Sequence, residues 1–272
     1  MNGPDCNGCP ASAQLAQMGI DVTGSDHVVA LAGNPNTGKS SVFNALTGLR
    51  QHVGNWSGKT VTRAEGAFSL GGKRYKLVDL PGTYSLLSAS QDEEISRNFL
   101  LFGQPDCTVV VTDATALERN LNLVLQVLEI TDRAVVCVNL MDEAERKGIE
   151  VDVRSLSRDL GVPAVPTVAR SKLGMAELVA TVARVIDGDI GTSPLRVKHP
   201  PAVRDAIARL VPLIDELVPG LPNARWIALR LLDGDHRVRQ ALRSGELDGL
   251  ARRQRTAAPS RRGRVVALAG AQ

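Results

Sequence analysis

Aromatic residues are scarce in this chain: Phe, Tyr and Trp together make up 3% of its 272 residues. Any core must therefore be aliphatic. The two tryptophans stand without basic–aromatic alternation, which argues against a stacking platform for nucleic acid. No run of about 18 consecutive apolar residues occurs, so no segment reads as a membrane-spanning helix. The first ten residues are polar and are not expected to form a secretory signal. Charge is nearly balanced, at +3 overall, and says little about partners. Acid is missing only locally: residues 251–264 hold six arginines and no carboxylate. That tail is either a solvated face or a contact for an anionic partner such as a phospholipid surface. Cysteine is sparse as well, with four in all. Cys107 and Cys137 sit inside apolar runs and are expected to be buried, reduced thiols. Cys6 and Cys9 form a single C-x-x-C, with no second pair nearby to complete a tetrahedral zinc site. Metal binding, thiol–disulfide cycling and a plain mobile tail all stay open for it. This usage fits a reducing, cytosolic compartment.

What is present is ordinary for a globular protein, with 43% hydrophobic and 22% charged residues. Residues 1–26 are rich in Gly, Asp and Ser, with a short apolar patch from Leu15 to Ile20, and read as a loosely attached extension with room for one or two helical turns. From residue 27 strands alternate with helices. Strands are expected at 28–32, 66–70, 75–79, 108–112, 134–138 and 162–166. Helices are expected at 40–47, 92–102, 117–129, 153–160 and 175–185. Residues 48–63 read as a long irregular loop. The continuous β-branched run at 108–112 marks a buried parallel strand. Such alternation predicts an α/β fold, an open and mostly parallel sheet with helices on both faces. Residues 27–188 form this domain, 189–200 read as a linker, and 201–272 as a small all-helical domain ending in the Arg-rich tail.

The strongest motif is Gly33-Asn34-Pro35-Asn36-Thr37-Gly38-Lys39-Ser40, between the first strand and first helix. It matches the phosphate-binding pattern G-x-x-x-x-G-K-S. Glycines let the backbone wrap a phosphate, and successive N–H groups with a helix N-terminus supply partial positive charge. Lys39 can reach the β- and γ-phosphates, and Ser40 offers a hydroxyl to Mg²⁺. Ser41 completes the loop. Asp79-Leu80-Pro81-Gly82 follows a strand, so that Asp79 can hold Mg²⁺ through water and the Gly82 N–H can meet a γ-phosphate. Asn139-Leu140-Met141-Asp142 ends the strand at 134–138. There Asp142 can accept from guanine N1–H and N2–H₂ while Asn139 braces the loop. Thr167-Val168-Ala169-Arg170 ends the last strand, where a backbone N–H can meet guanine O6. The order and spacing are those of a Ras-like P-loop GTPase domain, with each motif at the carboxyl end of a strand. Thr60, with Thr62 as the fallback, is the choice for a hydroxyl that joins Mg²⁺ from the loop at 48–63.

Taken together, the phosphate loop, Val53-Gly54-Asn55-Trp56-Ser57-Gly58-Lys59-Thr60-Val61, Asp79-Leu80-Pro81-Gly82-Thr83-Tyr84-Ser85-Leu86 and Asn139-Leu140-Met141-Asp142 resemble the cytosolic G domain of the bacterial ferrous iron transporter FeoB. The run Trp226-Ile227-Ala228-Leu229-Arg230-Leu231-Leu232-Asp233-Gly234-Asp235 resembles that family's small helical domain. The resemblance covers roughly residues 27–250. It implies binding of GTP and GDP with Mg²⁺, slow GTP hydrolysis and quick GDP release. It also implies a K⁺ ion held by Asn36 and by backbone carbonyls of the Gly54–Trp56 stretch. The implied partner is a transmembrane region of the same transporter, at the cytoplasmic face of the bacterial inner membrane, possible small cytosolic proteins being further candidates. No nucleic-acid partner is expected, and oligomeric state is left open. Lys59 stands where the family usually has a small apolar residue, Ser57 where proline is common, and Leu140 where the general motif has lysine. Val168 replaces a frequent Ser or Thr. The last two departures leave room for some use of ATP.

The residue after Asp79-x-x-Gly82 is Thr83, which cannot orient water as a glutamine would, and no arginine finger is evident. Unassisted hydrolysis is therefore expected to be slow, on the order of 10⁻⁴ to 10⁻² s⁻¹. The competing readings are a soluble GTPase of ribosome or RNA assembly, and a nucleotide-gated binding module whose hydrolysis is incidental.

Overall fold

The structure is a computed structural model and describes residues 15–48, 51–87, 90–221 and 223–248. Cys6, Cys9 and the Arg-rich tail lie outside the described residues. The chain divides into two compact units, Met1–Arg204 and Asp205–Gln272.

The first unit is built on a seven-stranded sheet of order β2-β3-β4-β1-β5-β6-β7. The strands are β1 His27–Gly33, β2 Gln51–Asn55, β3 Thr62–Leu70, β4 Lys73–Asp79, β5 Cys107–Asp113, β6 Ala134–Asn139 and β7 Ala164–Pro166. β1 pairs in parallel with β4 and β5, and β6 in parallel with β5 and β7. β2–β3 and β3–β4 are antiparallel. Every residue of β6 and the first six of β5 are buried, as strands covered on both faces must be. Their Val and Cys side chains meet Phe43, Leu178 and Val182 from two helices in a core that is aliphatic with few rings.

The helices of this unit are α1 Lys39–Thr47, α2 Gln91–Asn98, α3 Leu117–Ile130, α4 Met141–Arg146, α5 Val153–Leu160 and α6 Met175–Asp187. α5 stops at Gly161 as its sequence indicates, with the glycine in the left-handed region. The expected helix at 92–102 is interrupted: α2 gives way to a π-turn over Phe99–Gly103, all five residues buried. That wider turn packs Phe99, Leu100, Leu101 and Phe102 inward together, which a uniform 3.6-residue period could not do.

Two expectations need correction. The irregular loop at 48–63 contains β2, because residues 51–55 pair with β3 in the register Gln51↔Gly66 to Asn55↔Thr62. A polar edge strand gives no apolar alternation to read, so pairing alone reveals it. Within the extension, residues 15–26 are attached rather than loose: Leu15 and Ile20 are buried, and Asp26 exchanges hydrogen bonds with the Arg74 backbone. The linker is tied down too. Ser193 and Leu195 donate backbone N–H groups to the Gly161 and Leu160 carbonyls. Thr192 bonds the Asp132 carbonyl, Arg196 pairs with the Asp132 carboxylate, and Val197 N–H reaches Glu129 Oε1 at 2.8 Å.

The second unit holds most of α7 Pro201–Leu217, then α8 Ala224–Leu232 and α9 His236–Ser244. Ile207, Ile214, Trp226, Ile227, Val238 and Ala241 are buried. Asp235 caps α9 by accepting from the Arg237 and Val238 N–H groups, and Arg230 lies 5.8 Å over the Trp226 ring. The Trp226–Asp235 run is thus a helix with its own cation–π pair followed by the next helix's cap.

Candidate nucleotide-binding site

β1 has β4 on one side and β5 on the other, and the chain crosses over in both directions from it. The loop at its carboxyl end lies at the topological switch point where open α/β sheets bind ligands. Gly33 to Ser40 occupy that position. Gly38 is left-handed at φ 78°, and a methyl group there would come within 2.4 Å of Asn139 Nδ2. Only glycine fits. Gly38 has no side chain to cap α1, so the first-turn N–H groups of that helix are offered to an outside acceptor. Asn36 is exposed with φ 68°, and Ser40 and Ser41 are exposed beside it. Thr37 turns inward and donates to the Asn34 carbonyl at 2.9 Å. Asn34 is buried, and neither of its amide atoms has a hydrogen-bond partner among the described residues.

Lys39 Nζ pairs with Asp79 Oδ1 across the mouth of the loop. Burial pushes the Asp79 carboxyl up from its ordinary value of 3.8, and Lys39 pulls it partly back. The loop after Asp79 folds onto the phosphate loop. Leu80 N–H bonds the Leu31 carbonyl at 2.9 Å, and Thr83 N–H bonds the Gly33 carbonyl at 3.2 Å. Gly82 stands against Pro35.

Asn139 joins this half of the site to the other. Its Nδ2 donates to the Thr37 carbonyl at 3.0 Å, and its Oδ1 accepts from the Ala169 N–H at 3.0 Å and from Thr167 Oγ1 at 3.3 Å. Leu140 is left-handed at φ 63° and opens α4, which the sequence reading did not identify. Val168 and Ala169 are buried and Arg170 is exposed. Asp142 is half-exposed, its carboxylate 3.4 Å from Arg146 one turn on. Two contributors escaped the sequence reading. Thr167 was read only as the start of the last motif, and Arg146 only becomes relevant once α4 puts it beside Asp142.

The tryptophan-containing loop departs from expectation. Trp56 is buried, edge-on to Phe99 at 5.6 Å and beneath Arg63 at 5.6 Å. Its carbonyl accepts from Lys59 N–H at 2.9 Å, and its own N–H bonds the Val61 carbonyl. Lys59 Nζ pairs with Glu94 on α2 at 3.3 Å. Thr60 lies in the exposed turn of this hairpin, and among the described residues no hydrogen bond joins Thr60, Gly54 or Trp56 to the phosphate loop. β2–β3 pairing carries the loop's ends along the sheet edge, which is why these three are not gathered with the rest.

Ser40 presents an exposed hydroxyl next in sequence to Lys39, which pairs with the Asp79 carboxylate, and both oxygens are hard donors that suit Mg²⁺. No cluster of three or more His, Cys, Asp or Glu that could hold a metal alone occurs among the described residues.

A phosphate loop at the switch point, a D-x-x-G loop folded onto it and an Asn-braced base loop define a P-loop domain of the Ras-like GTPase fold. Comparison with known proteins narrows the class. The family model for Ferrous iron transport protein B matches residues 27–182, and that for the FeoB cytosolic helical domain matches 199–263. The Fe(2+) transporter FeoB of Salmonella typhimurium is 40% identical over 215 residues, 76% of this chain and 27% of the relative. A Fe(2+) transport protein A/Fe(2+) transporter FeoB fusion protein of Porphyromonas gingivalis is 41% identical over 227 residues, 81% of this chain and 27% of the relative. The cytosolic domain of L. pneumophila FeoB superposes with a TM-score of 0.71 at 34% identity, covering 85% of this chain and 90% of that one. The cytosolic domain of T. maritima FeoB in its GDP form I gives 0.72 at 34% identity, covering 84% and 93%. The chain belongs to the ferrous iron transport protein B family, and spans about a quarter of the length of these curated relatives.

Proposed function

We propose that this chain binds GTP and GDP and hydrolyses GTP slowly, as the cytosolic regulatory part of a membrane Fe²⁺ transporter. The observation that carries the reading is Asn139, whose one buried amide ties the phosphate loop to the loop that ends β7. Phosphate and base recognition are thereby held in one rigid frame. Residues 27–188 act as the nucleotide domain and 201–272 as a helical domain that couples nucleotide state to a transmembrane partner region at the cytoplasmic face of the inner membrane. The cytosolic domain of T. maritima FeoB has been solved in GDP and GMPPNP forms, which supports guanine nucleotides as the ligands. No described helix is long and apolar enough to cross a membrane.

In this reading the helix N-terminus and the N–H groups of residues 34–41 cradle the β-phosphate. Lys39 would leave Asp79 for the phosphate oxygens, and Asp79 and Ser40, with Thr60 from its exposed turn, would hold Mg²⁺. Mg²⁺ supplies neutralisation of the charge that develops on the phosphates. Gly82 N–H meets the γ-phosphate, and Asp142 accepts from the guanine edge beside Leu140. The loop of Val168, Ala169 and Arg170 offers an N–H to guanine O6. Asn36, exposed at the loop's crest, would hold an activating K⁺, joined by the Gly54 and Trp56 carbonyls only once their loop left its present place and the Trp56 carbonyl gave up the Lys59 N–H.

GTP turnover measured in KCl and NaCl, for the wild type and Asn36→Ala, tests this. Faster turnover in KCl, lost in the variant, is expected; equal rates in all four samples would overturn the K⁺ assignment, and no turnover in any would overturn the GTPase reading. Asp142→Asn should weaken GDP binding while leaving the phosphate contacts intact. Unaltered affinity would refute the base assignment.

A further inference from the structure

Residues 15–20 lie ahead of the region shared with the family, which begins at residue 27. They nevertheless form a defined element. Ile20 N–H bonds the Leu15 carbonyl at 2.8 Å and Gly19 N–H bonds the Ala16 carbonyl at 2.9 Å, with Gly19 left-handed at φ 79°. That is a Schellman-capped helical turn, and its two apolar ends, Leu15 and Ile20, are both buried.

The turn points its spare carbonyls at one guanidinium. Arg63 donates to the Met18 carbonyl at 3.0 Å and to the Gly19 carbonyl at 2.5 Å. The same side chain donates to the Asn55 carbonyl at 3.2 Å and lies over the Trp56 ring. Its Nε stands 2.7 Å from Glu65, which also pairs with Lys76 at 2.5 Å. Leu15 closes the circuit from the other side, packing on Gly103 beside Phe99, whose ring meets Trp56. Residues 15–20 thus bond Arg63, which covers the Trp56 ring, and flank Gly103 together with Phe99, whose ring edge meets it.

We propose that residues 15–20 are a latch that keeps the Trp56–Val61 hairpin end folded away from the phosphate loop, with Arg63 as the positioning residue through which the latch acts. Arg63 and Glu65 are both buried, and a buried guanidinium that loses two carbonyl acceptors has to recover them from water or move. Movement releases the Asn55 carbonyl and uncovers one face of Trp56, two of the restraints on the loop that carries Thr60, beside the Lys59–Glu94 pair and the Phe99 ring. Opening the latch therefore frees the loop to close over nucleotide, while the phosphate loop itself is untouched.

The turnover half of this inference rests on the GTPase reading; the loop half does not. The full chain is used with Trp226→Phe, leaving Trp56 as the only tryptophan. Leu15→Asp removes the apolar anchor. Gly19→Ala is the milder variant, since a methyl group there meets Arg63 Nη1 at 2.8 Å and the backbone is left-handed. Arg63→Lys keeps the charge but has one nitrogen in place of the fork whose Nη1 and Nη2 reach the carbonyls while Nε faces Glu65. Without nucleotide, all three should shift Trp56 emission to the red and raise its quenching by acrylamide, with helix content by circular dichroism unchanged. With GTP, kcat should rise several-fold while KM stays put. Wild-type emission and quenching in Leu15→Asp and Gly19→Ala would overturn the latch. A shifted emission with unchanged kcat would overturn its control of turnover. If the wild type itself showed no turnover, the emission measurement would still decide the latch.

Discussion

One amide, Asn139, does at the residue scale what several loops would otherwise have to do by packing. It is 1% exposed, and both its donor and its acceptor capacity are spent on backbone from two other motifs. The steric fit of Gly38 against it explains why a side chain is excluded there. The two buried cysteines illustrate the opposite case, side chains with no chemistry to offer. Burial pushes the Cys107 and Cys137 thiols up from 9.0 to about 12. A thiol that resists ionisation when folded favours the folded state below its unfolded value, and that contribution is lost as pH rises to the folded value. Stability should therefore fall between pH 9.0 and about 12, and Cys107→Ala with Cys137→Ala should flatten that slope in urea melts. Neither thiol should react with a maleimide at pH 8 until the protein unfolds.

Elements whose hydrophobic period matched their burial were legible; those defined by pairing or by polar contact were not. β5 announced itself through an unbroken β-branched run and β6 through a continuous apolar one, whereas β2 is polar and became a strand only by finding β3. α4 is a six-residue helix opened by a left-handed Leu140, with no apolar stripe to read. The strap at 192–197 has no periodicity, yet five polar contacts fix it. Its tightest point is Gly161, at φ 68°, where a methyl group would stand 1.9 Å from the Ser193 carbonyl oxygen. Gly161→Ala must either shift the strap or distort the end of α5. A loss of about 1–2 kcal/mol is expected from the left-handed backbone alone, read from the urea midpoint, with more if the strap cannot yield.

At the scale of the whole molecule, two compact units share one chain, and the division falls inside α7. Unfolding need not be a single transition. Every residue assigned to nucleotide binding lies in Met1–Arg204, so ligand should stabilise that unit directly. GDP at a hundredfold excess over its Kd should raise the stability of its transition by about 2.7 kcal/mol. Calorimetry with and without GDP checks this, and the Asp142→Asn chain should show a smaller shift at the same GDP concentration.

The sequence by itself determined the α/β alternation, the phosphate loop and the order of the motifs behind it, because those depend on spacing along the chain and on residues with special backbone or charge. Tertiary structure alone decided where the tryptophan loop rests, that residues 15–20 belong to the folded unit, and that Asn139 reaches Thr37 across 102 positions. Each of these is a contact between polar groups or short segments distant in sequence, which no local period records.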